Sequence, residues 1–464
     1  MRVTEHRGAG AGSERIVKFR RPDIYWLVLS ISALIFVSVA VERFHAFHSA
    51  TDYIPVYTGA RCLLHGCNPY DTSQLEEQYF QAGGRADERP QWPGTPPVYP
   101  PSTLLAISPL ALLPFPEARL VWLLLNVCLF AIAAGFMLSS CPGQHRWFST
   151  ILVLIILISS RIQLEMGNPT TFAISLLVIG RYSFLSNRFV PIGVLLLMLS
   201  LAVKPQMGGL IVLYLFARGI RRRYAAAAVA GAFALLLSAS MMLSLNPRSA
   251  GWTSDLRANI SASVDAGAIN DPRPAGEFAS TFVNLQAITS VFFPDAREYD
   301  AAAYAIFLAL LAVLIAFILR TKATPEMHVL FIAALAALTL MPVYHRFYDT
   351  RLLLITVPAV LAVYGKRRLL GATIGVLTVL ALVSGQSRVY TFFQYHARYN
   401  ALWKIILQNK FLFVLFLRQQ NLALLILFCL YLVAIFSIRF PGAPANGGSR
   451  KPSTGAELNC IEAA

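Results

Sequence analysis

The sequence predicts an all-α, polytopic membrane protein, and three observations carry that prediction. Apolar residues make up 56% of the 464 residues and charged residues only 13%, where soluble domains carry about 25% charge. Mean hydropathy is +0.59. Apolar runs recur along nearly the whole chain, most of them close to the ~17 to 25 residues that cross a hydrocarbon core as a helix. Helices are required because lipid cannot satisfy free backbone groups.

The net charge of +16 does not indicate a nucleic-acid protein, because the basic residues fall in short clusters at the ends of apolar spans. Such clusters report topology, and no basic and aromatic constellation of a nucleic-acid module accompanies them. The cysteines, at 62, 67, 128, 141, 429 and 460, form no C-x-x-C pair or Cys/His ligand pattern. Cys62 and Cys67 flank His65 and can pair if their loop faces an oxidising compartment.

The first 23 residues read as a basic cytoplasmic N-terminus, with Arg2, Arg7, Arg15, Lys18, Arg20 and Arg21 ahead of an apolar span and no small-residue cleavage site behind it. This predicts a retained first helix at about 24–43, entered through the interfacial pair Tyr25-Trp26. Residues 44–101 then form an external loop of more than fifty residues, longer than a connector needs to be. A short surface helix is expected over Gln74 to Gln81 within it.

Further spans are expected at about 102–114, 119–139, 148–160, 170–182, 189–217, 224–245, 301–319, 327–343, 350–364, 369–385 and 420–439, twelve in all. Arg218 with Arg221 to Arg223, Arg320 with Lys322, and Lys366 to Arg368 fall at alternate connections, which puts both termini on the cytoplasmic side. The span at 102–114 is short and reads as a helix on the floor of a cavity. The segment 402–417 either lies in the interface plane or crosses. Residues 24–439 thus make one integral membrane domain, and 440–464, rich in Gly, Pro, Ala and Ser, a disordered cytoplasmic tail.

The chemistry is expected in the first external loop. It opens T-D-Y-I-P-V-Y-T-G-A-R and closes V-Y-P-P-S, a concentration of polar and aromatic groups around one carboxylate, Asp52. A carboxylate at a membrane surface is ordinarily solvated or a helix cap. Here Asp52 is followed by Tyr53 and Tyr57, Gly59-Ala60, Leu64, Gly66 and Asn68-Pro69-Tyr70. That spacing resembles the start of the polyprenol-phosphate-dependent mannosyltransferases of glycosyltransferase family 87, whose first external loop opens with Asp, then a tyrosine, then a small-residue segment ending Gly-x-x-Pro-Tyr. The resemblance continues through Tyr99-Pro100-Pro101, Pro109-Leu110, Leu113-Pro114, Trp122, Gly167-Asn168 and Lys204-Pro205-Gln206. At Gly167-Asn168 the family more often reads Gly-Gln-x-Asn, so Asn168 is not counted among the binding residues.

The resemblance implies a type C membrane glycosyltransferase fold, a lipid-linked sugar donor and Asp52 as catalytic residue. A sugar on a polyprenyl phosphate already carries a good leaving group. One carboxylate therefore suffices as general base toward the acceptor hydroxyl, with inversion at the anomeric carbon. The implied partners are membrane lipid, a polyprenyl-phosphate hexose, mannose by resemblance, and a glycolipid or glycan acceptor. The expected location is the outer face of a cytoplasmic membrane. No cofactor or metal is expected: Asp-x-Asp is absent, and Glu76-Glu77 and Asp87-Glu88 read as solvated charges.

The developing negative charge on the phosphate needs donors. His345, Arg346 and Asp349, at the external end of a span, are candidates, because a His-Arg pair is costly there. The alternative is an interfacial ion pair of Arg346 with Asp349 beside a snorkelling histidine. Lys204 sits where Pro205 breaks an apolar run, and either lines a cavity with Gln206 or pairs with a buried carboxylate such as Glu165. Arg61 binds the phosphate or sits among headgroups. Tyr57 and Tyr99 either stack on sugar or anchor the loop. A secondary transporter or flippase is the rival reading, with Lys204 and Glu165 as intramembrane sites. It predicts an internal repeat, which the sequence lacks.

Overall fold

A computed structural model describes residues 21–45, 50–86, 97–141, 145–185, 189–276, 278–322, 324–383, 392, 395 and 400–439. The basic residues before 21, the tail from 440, Asp87-Glu88, Tyr390, His396 and Arg398 lie outside them. The described chain is all helical: α1 Arg21–His45, α2 Tyr53–His65, α3 Thr72–Gln81, α4 Pro101–Ile107, α5 Phe115–Ser139, α6 Arg146–Ser159, α7 Arg161–Met166, α8 Thr170–Leu185, α9 Val190–Val203, α10 Pro205–Ala217, α11 Arg222–Leu245, α12 Trp252–Val264, α13 Gln286–Phe292, α14 Ala296–Arg320, α15 Pro325–Thr339, α16 Val357–Lys366, α17 Arg368–Val383, α18 Ala401–Gln408, α19 Lys410–Leu417 and α20 Gln419–Arg439. A 3-10 segment, Ser108–Leu112, extends α4, and another, Phe347–Thr356, leads into α16. Among the described residues seven helical stretches are long and apolar enough to cross a membrane, and six apolar helices are shorter. The protein is a multi-pass membrane protein.

Contacts at the two ends of the bundle define the direction of each pass. At one end, Tyr25 of α1 lies against Gly135 of α5, Phe136 stacks on Tyr182 of α8, and His145 and Phe148 meet Tyr364 of α16. Tyr214 of α10 bonds His328 of α15 there, Arg218 caps the Ile318 carbonyl of α14, and Lys366 pairs with Glu326. At the other end Asp52, Trp122, Asn168, Lys204, Asn246, His345 and Arg418 gather with α2, α3, α12, α13, α18 and α19. Among the described residues the helices that run between the two ends are α1, α5, α6 with α7, α8, α9, α10, α11, α14, α15, the 347–366 helix, α17 and α20.

Two parts of the expected topology are corrected. The segment 102–114 does not traverse the bundle. Its start is fixed by Ser102 and Thr103, whose hydroxyls donate to the Ala202 and Val203 carbonyls. Its end returns to the same side, where Tyr57 donates to the Leu113 carbonyl and the Phe115 N–H to the Ala82 carbonyl. Leu104, Ile107 and Ala111 are buried in one cluster with residues of α2 and the start of α5, while Leu112 and Leu113 are exposed. Conversely, 189–217 is two passes. Lys204 leaves helical geometry (φ −146°, ψ 81°) and Pro205 opens α10, which turns back beside α9. The segment 401–417 is likewise two eight-residue helices, each about 12 Å long. They pack on α13, and Lys410 donates to the Phe292 carbonyl, so this segment stays at the Asp52 end.

Small residues set the closest approach in the bundle, as expected where lipid supplies no hydrophobic drive between helices. A Cβ added at Gly193 of α9 would lie 2.5 Å from the Phe184 nitrogen of α8. The first loop is closed by the Cys62–Cys67 disulfide and clamped by α12. Trp252 stacks on Tyr70 at 6.0 Å, Asp255 accepts from Asn68 at 2.6 Å, and Asn259 donates to the Tyr70 and Pro97 carbonyls.

Candidate active site

The short passes α8, α9, α10 and α15 and the 3-10 segment Phe347–Thr356 all begin or end at one place, and Asp52 stands beside it. Asp52 is the residue before α2, yet its side chain makes no capping bond. Its backbone explains the orientation: the Asp52 N–H donates to Met166 O at 3.0 Å and the Ala50 N–H to Glu165 O at 2.9 Å. Ala50 turns through φ 65° to do so, a left-handed conformation that costs a non-glycine residue about 1–2 kcal/mol. The half-buried carboxylate is thereby laid against the α7–α8 junction. There Asn168 donates to Asp52 Oδ2 at 2.7 Å and the Tyr348 hydroxyl donates to the same oxygen at 3.2 Å.

The junction is shaped by Gly167, which ends α7 at φ 72°, and by Trp122, whose Nε1–H donates to the Gly167 carbonyl at 2.8 Å. Trp122 is buried and stacks on Tyr53 at 5.2 Å, so α5 aligns α2 and α8 through one side chain.

Behind Asn168 lies a second carboxylate with the opposite environment. Asp349 is fully buried. Its Oδ1 accepts from Lys204 Nζ at 3.0 Å and from the Thr170 hydroxyl at 2.5 Å, and its Oδ2 accepts from His345 Nδ1 at 3.0 Å and the Arg346 N–H at 3.1 Å. A carboxylate only accepts, so His345 carries its proton on Nδ1. Its Nε2 is buried without a partner among the described residues. Lys204 also donates to Thr170 Oγ1 at 2.5 Å and stands 5.8 Å from the Tyr348 ring centre. Lys204 therefore pairs with Asp349 and not with Glu165. Asp349 meets the Arg346 backbone and not its guanidinium.

The Arg346 guanidinium faces the other way. It bonds the Tyr344 hydroxyl, the Ile269 carbonyl at 3.1 Å and Asn270 Oδ1 at 3.4 Å, among the rings of Phe278, Phe282 and Tyr344. The turn that carries it is strapped by residues 282–286: Val283 and Leu285 donate to His345 O and Met341 O, and Phe282 and Arg346 form an antiparallel bridge. Tyr99 closes the cluster from the end of the first loop. Its backbone carbonyl is held by the Tyr70 hydroxyl at 2.8 Å. Burial first, and then Asp52, Tyr344 and Asp349 beside it, push its phenol well above the ordinary value, so Tyr99 is a neutral hydroxyl.

Of the residues expected from sequence, Asp52, Tyr99, Lys204, His345 and Arg346 come together, and half-buried Gln206 follows on the first turn of α10. Tyr57 and Arg61 point elsewhere: Tyr57 bonds Leu113 O at 2.5 Å and Arg61 bonds Ala111 O at 3.1 Å. Two residues of the cluster, Asn168 and Tyr348, are not among the expected binding residues, and Asp349, a candidate beside His345 and Arg346, bonds His345 and the Arg346 N–H. The adjacency of Gly167 and Asn168 and the carboxylate three residues after Arg346 are the signals the sequence held. Among the described residues no group of three or more His, Cys, Asp or Glu side chains can hold a metal ion.

Neither the curated proteins nor the solved structures give a match to this chain. The model of glycosyltransferase family 87 matches residues 98–343, more than half of the chain, a range that includes Tyr99, Trp122, Asn168 and Lys204 and stops two residues short of His345. The cluster of carboxylate, cations and hydroxyls at the converging helix ends thus belongs to a multi-pass membrane glycosyltransferase, a member of glycosyltransferase family 87.

Proposed function

We propose that the protein transfers a hexose, mannose by family resemblance, from a polyprenyl phosphate to a hydroxyl of a glycolipid or glycan, with inversion and without a metal or cofactor. The observation that carries this reading is the contrast between the two carboxylates. Asp349 has donors on both oxygens and is neutralised by Lys204. Among the described residues Asp52 has donors on Oδ2 only. Asp349 is saturated by its donors, and Asp52 Oδ1 is the carboxylate oxygen that faces neither Asn168 nor Tyr348.

In the proposed step, Asp52 removes the acceptor hydroxyl proton as that oxygen bonds to the anomeric carbon. The bond from the anomeric carbon to the phosphate oxygen breaks on the opposite face, and its electron pair leaves on the phosphate. Arg346 and Lys204 stabilise the charge that develops there. Lys204 has three N–H donors and spends two on Thr170 and Asp349. The positive N-terminal end of α10, with Gln206 on its first turn, and the Tyr99 hydroxyl complete this side. His345 holds Asp349 in place, and Arg61 and Tyr57 brace the first loop against residues 111–113.

We further propose that the site opens to the outer face of the cytoplasmic membrane, with both termini inside. Three basic groups, Arg218 to Arg223, Arg320 with Lys322 and Lys366 to Arg368, lie at the end opposite Asp52 and support this orientation. The Cys62–Cys67 disulfide at the far end of the helix that follows Asp52 supports it independently, since disulfides persist in oxidising compartments.

The test offers membranes expressing the protein radiolabelled mannose, glucose or arabinose on a polyprenyl phosphate, and nucleotide-linked mannose, with chelator throughout. Transfer from polyprenyl-phosphate mannose alone is the expected result. Transfer only from the nucleotide donor, or only without chelator, would overturn the reading.

A further inference from the structure

We infer that Asn168 and Tyr348 are positioning residues that reserve one oxygen of Asp52 for proton transfer, an inference that rests on Asp52 being the base. The proton count at this junction is closed. Asn168 has two amide protons: one goes to Asp52 Oδ2 at 2.7 Å and the other to the Tyr348 oxygen at 2.9 Å. The single Tyr348 hydroxyl proton goes to Asp52 Oδ2 at 3.2 Å. Asp52 Oδ2 thus receives two donors that also bond each other, while Oδ1 faces neither.

The arrangement cannot reverse. Asn168 Oδ1 accepts from the Thr170 N–H at 3.0 Å and lies 2.7 Å from the Thr170 hydroxyl. Turning the amide over would set its nitrogen against the Thr170 N–H and its oxygen against the Asp52 carboxylate. Thr170 is in turn fixed at the head of α8 by Lys204 and Asp349. The buried ion pair therefore acts on Asp52 through Thr170, whose hydroxyl is held by Lys204 and Asp349 and whose N–H holds Asn168 Oδ1. Tyr348 is fixed separately by its place beside Asp349 and by the Lys204 ammonium over its ring.

The chemical consequence follows from what these donors tolerate. When Asp52 takes the acceptor proton on Oδ1, Oδ2 becomes the carbonyl oxygen of a carboxylic acid and still accepts both bonds. Neither Asn168 nor Tyr348 has to move or change protonation during transfer, which is what a preorganised site requires. The acceptor hydroxyl is confined to the Oδ1 side.

The experiment compares steady-state kinetics of purified wild type, Tyr348→Phe, Asn168→Ala, the double variant and Asp52→Asn, each also combined with Asp52→Asn. Tyr348→Phe keeps the ring and removes only the hydroxyl. One bond to a charged group corresponds to a loss of about tenfold in kcat, and Asn168→Ala to about a hundredfold, with KM for the donor within about twofold of wild type. In the Asp52→Asn background neither change should lower the residual rate further, because both act through that carboxylate. A purely structural role would instead raise KM or lower the residual rate in that background. Wild-type kcat in both Tyr348→Phe and Asn168→Ala, with Asp52→Asn inactive, overturns the inference and leaves Asp52 as base. Full activity of Asp52→Asn removes the reading beneath it.

Discussion

Replacing Lys204 by Met tests the buried half of the site most severely. Lys204 Nζ and Asp349 Oδ1 are 3.0 Å apart, with Lys204 only 9% and Asp349 0% exposed. At an effective dielectric constant of about 20 their attraction is roughly 5 kcal/mol, which desolvation of two ions, several kcal/mol each, offsets. The pair as a whole then contributes little net stability, but either charge alone is costly. Removing one partner of such a pair destabilises by about 3–5 kcal/mol. Lys204→Met should fall at the lower end, since Asp349 keeps the His345, Arg346 and Thr170 donors. Asp349→Leu leaves Lys204 with Thr170 alone and should fall at the upper end. The double variant removes both charges and should recover most of the loss. In detergent-solubilised protein followed by thermal unfolding, each single change should lower the midpoint by on the order of 5 °C, and the double variant should melt above both singles. If the two losses simply add, the ion pair is not the unit described here.

Other expectations follow from the same geometry. Gly167→Val forces a branched residue to φ 72°, at a cost of at least ~1–2 kcal/mol. Because the same turn carries Asn168, transfer should fall in proportion more than the thermal midpoint does, as measured on the same preparation. Between α12 and α13, burial raises the Asp271 carboxyl pKa, but the Arg273 side chain and the Gly267 and Arg273 N–H groups outweigh it and hold the pKa below the ordinary carboxylate range. A folded-state value below the unfolded one gives stability that is fully present above about pH 4 and lost as pH falls through the lowered value. Thermal midpoints measured from pH 6 downward should therefore drop less in Asp271→Asn than in wild type, and equal slopes would contradict this. A cysteine introduced at exposed Glu77 of the first loop should react with a membrane-impermeant maleimide added from outside to intact cells. Labelling only after the cells are opened would reverse the topology.

How far the sequence reaches can be read from particular segments. The long spans and the alternation of Arg218, Arg320 and Lys366 were legible, because hydropathy and flanking charge are local properties. The segment 102–114 misleads because burial under α2 selects the same residues as burial in lipid, and a short apolar run does not distinguish them. The run 189–217 misleads in the opposite sense, since Pro205 marks a break without saying whether the chain bends or reverses. The two differences cancel, so the alternation of the later loops between the two ends of the bundle is unchanged. Asp52, Lys204, His345 and Arg346 stand out as charges at costly positions. Asn168 and Tyr348 do not, because a neutral amide and a phenol are unremarkable at a membrane interface. Their role depends on contacts across 116 and 296 positions of sequence.

Asp52→Asn is nearly isosteric, and it replaces the proposed base by an amide that cannot take a proton. The most direct test is its rate of sugar transfer from polyprenyl-phosphate mannose, measured on purified protein at saturating donor beside wild type of equal thermal midpoint. The account predicts a loss of at least about a hundredfold in kcat, the lower range of general-base catalysis, with the KM for the donor essentially unchanged. A kcat within a few fold of wild type would contradict it and take Asp52 out of the chemistry.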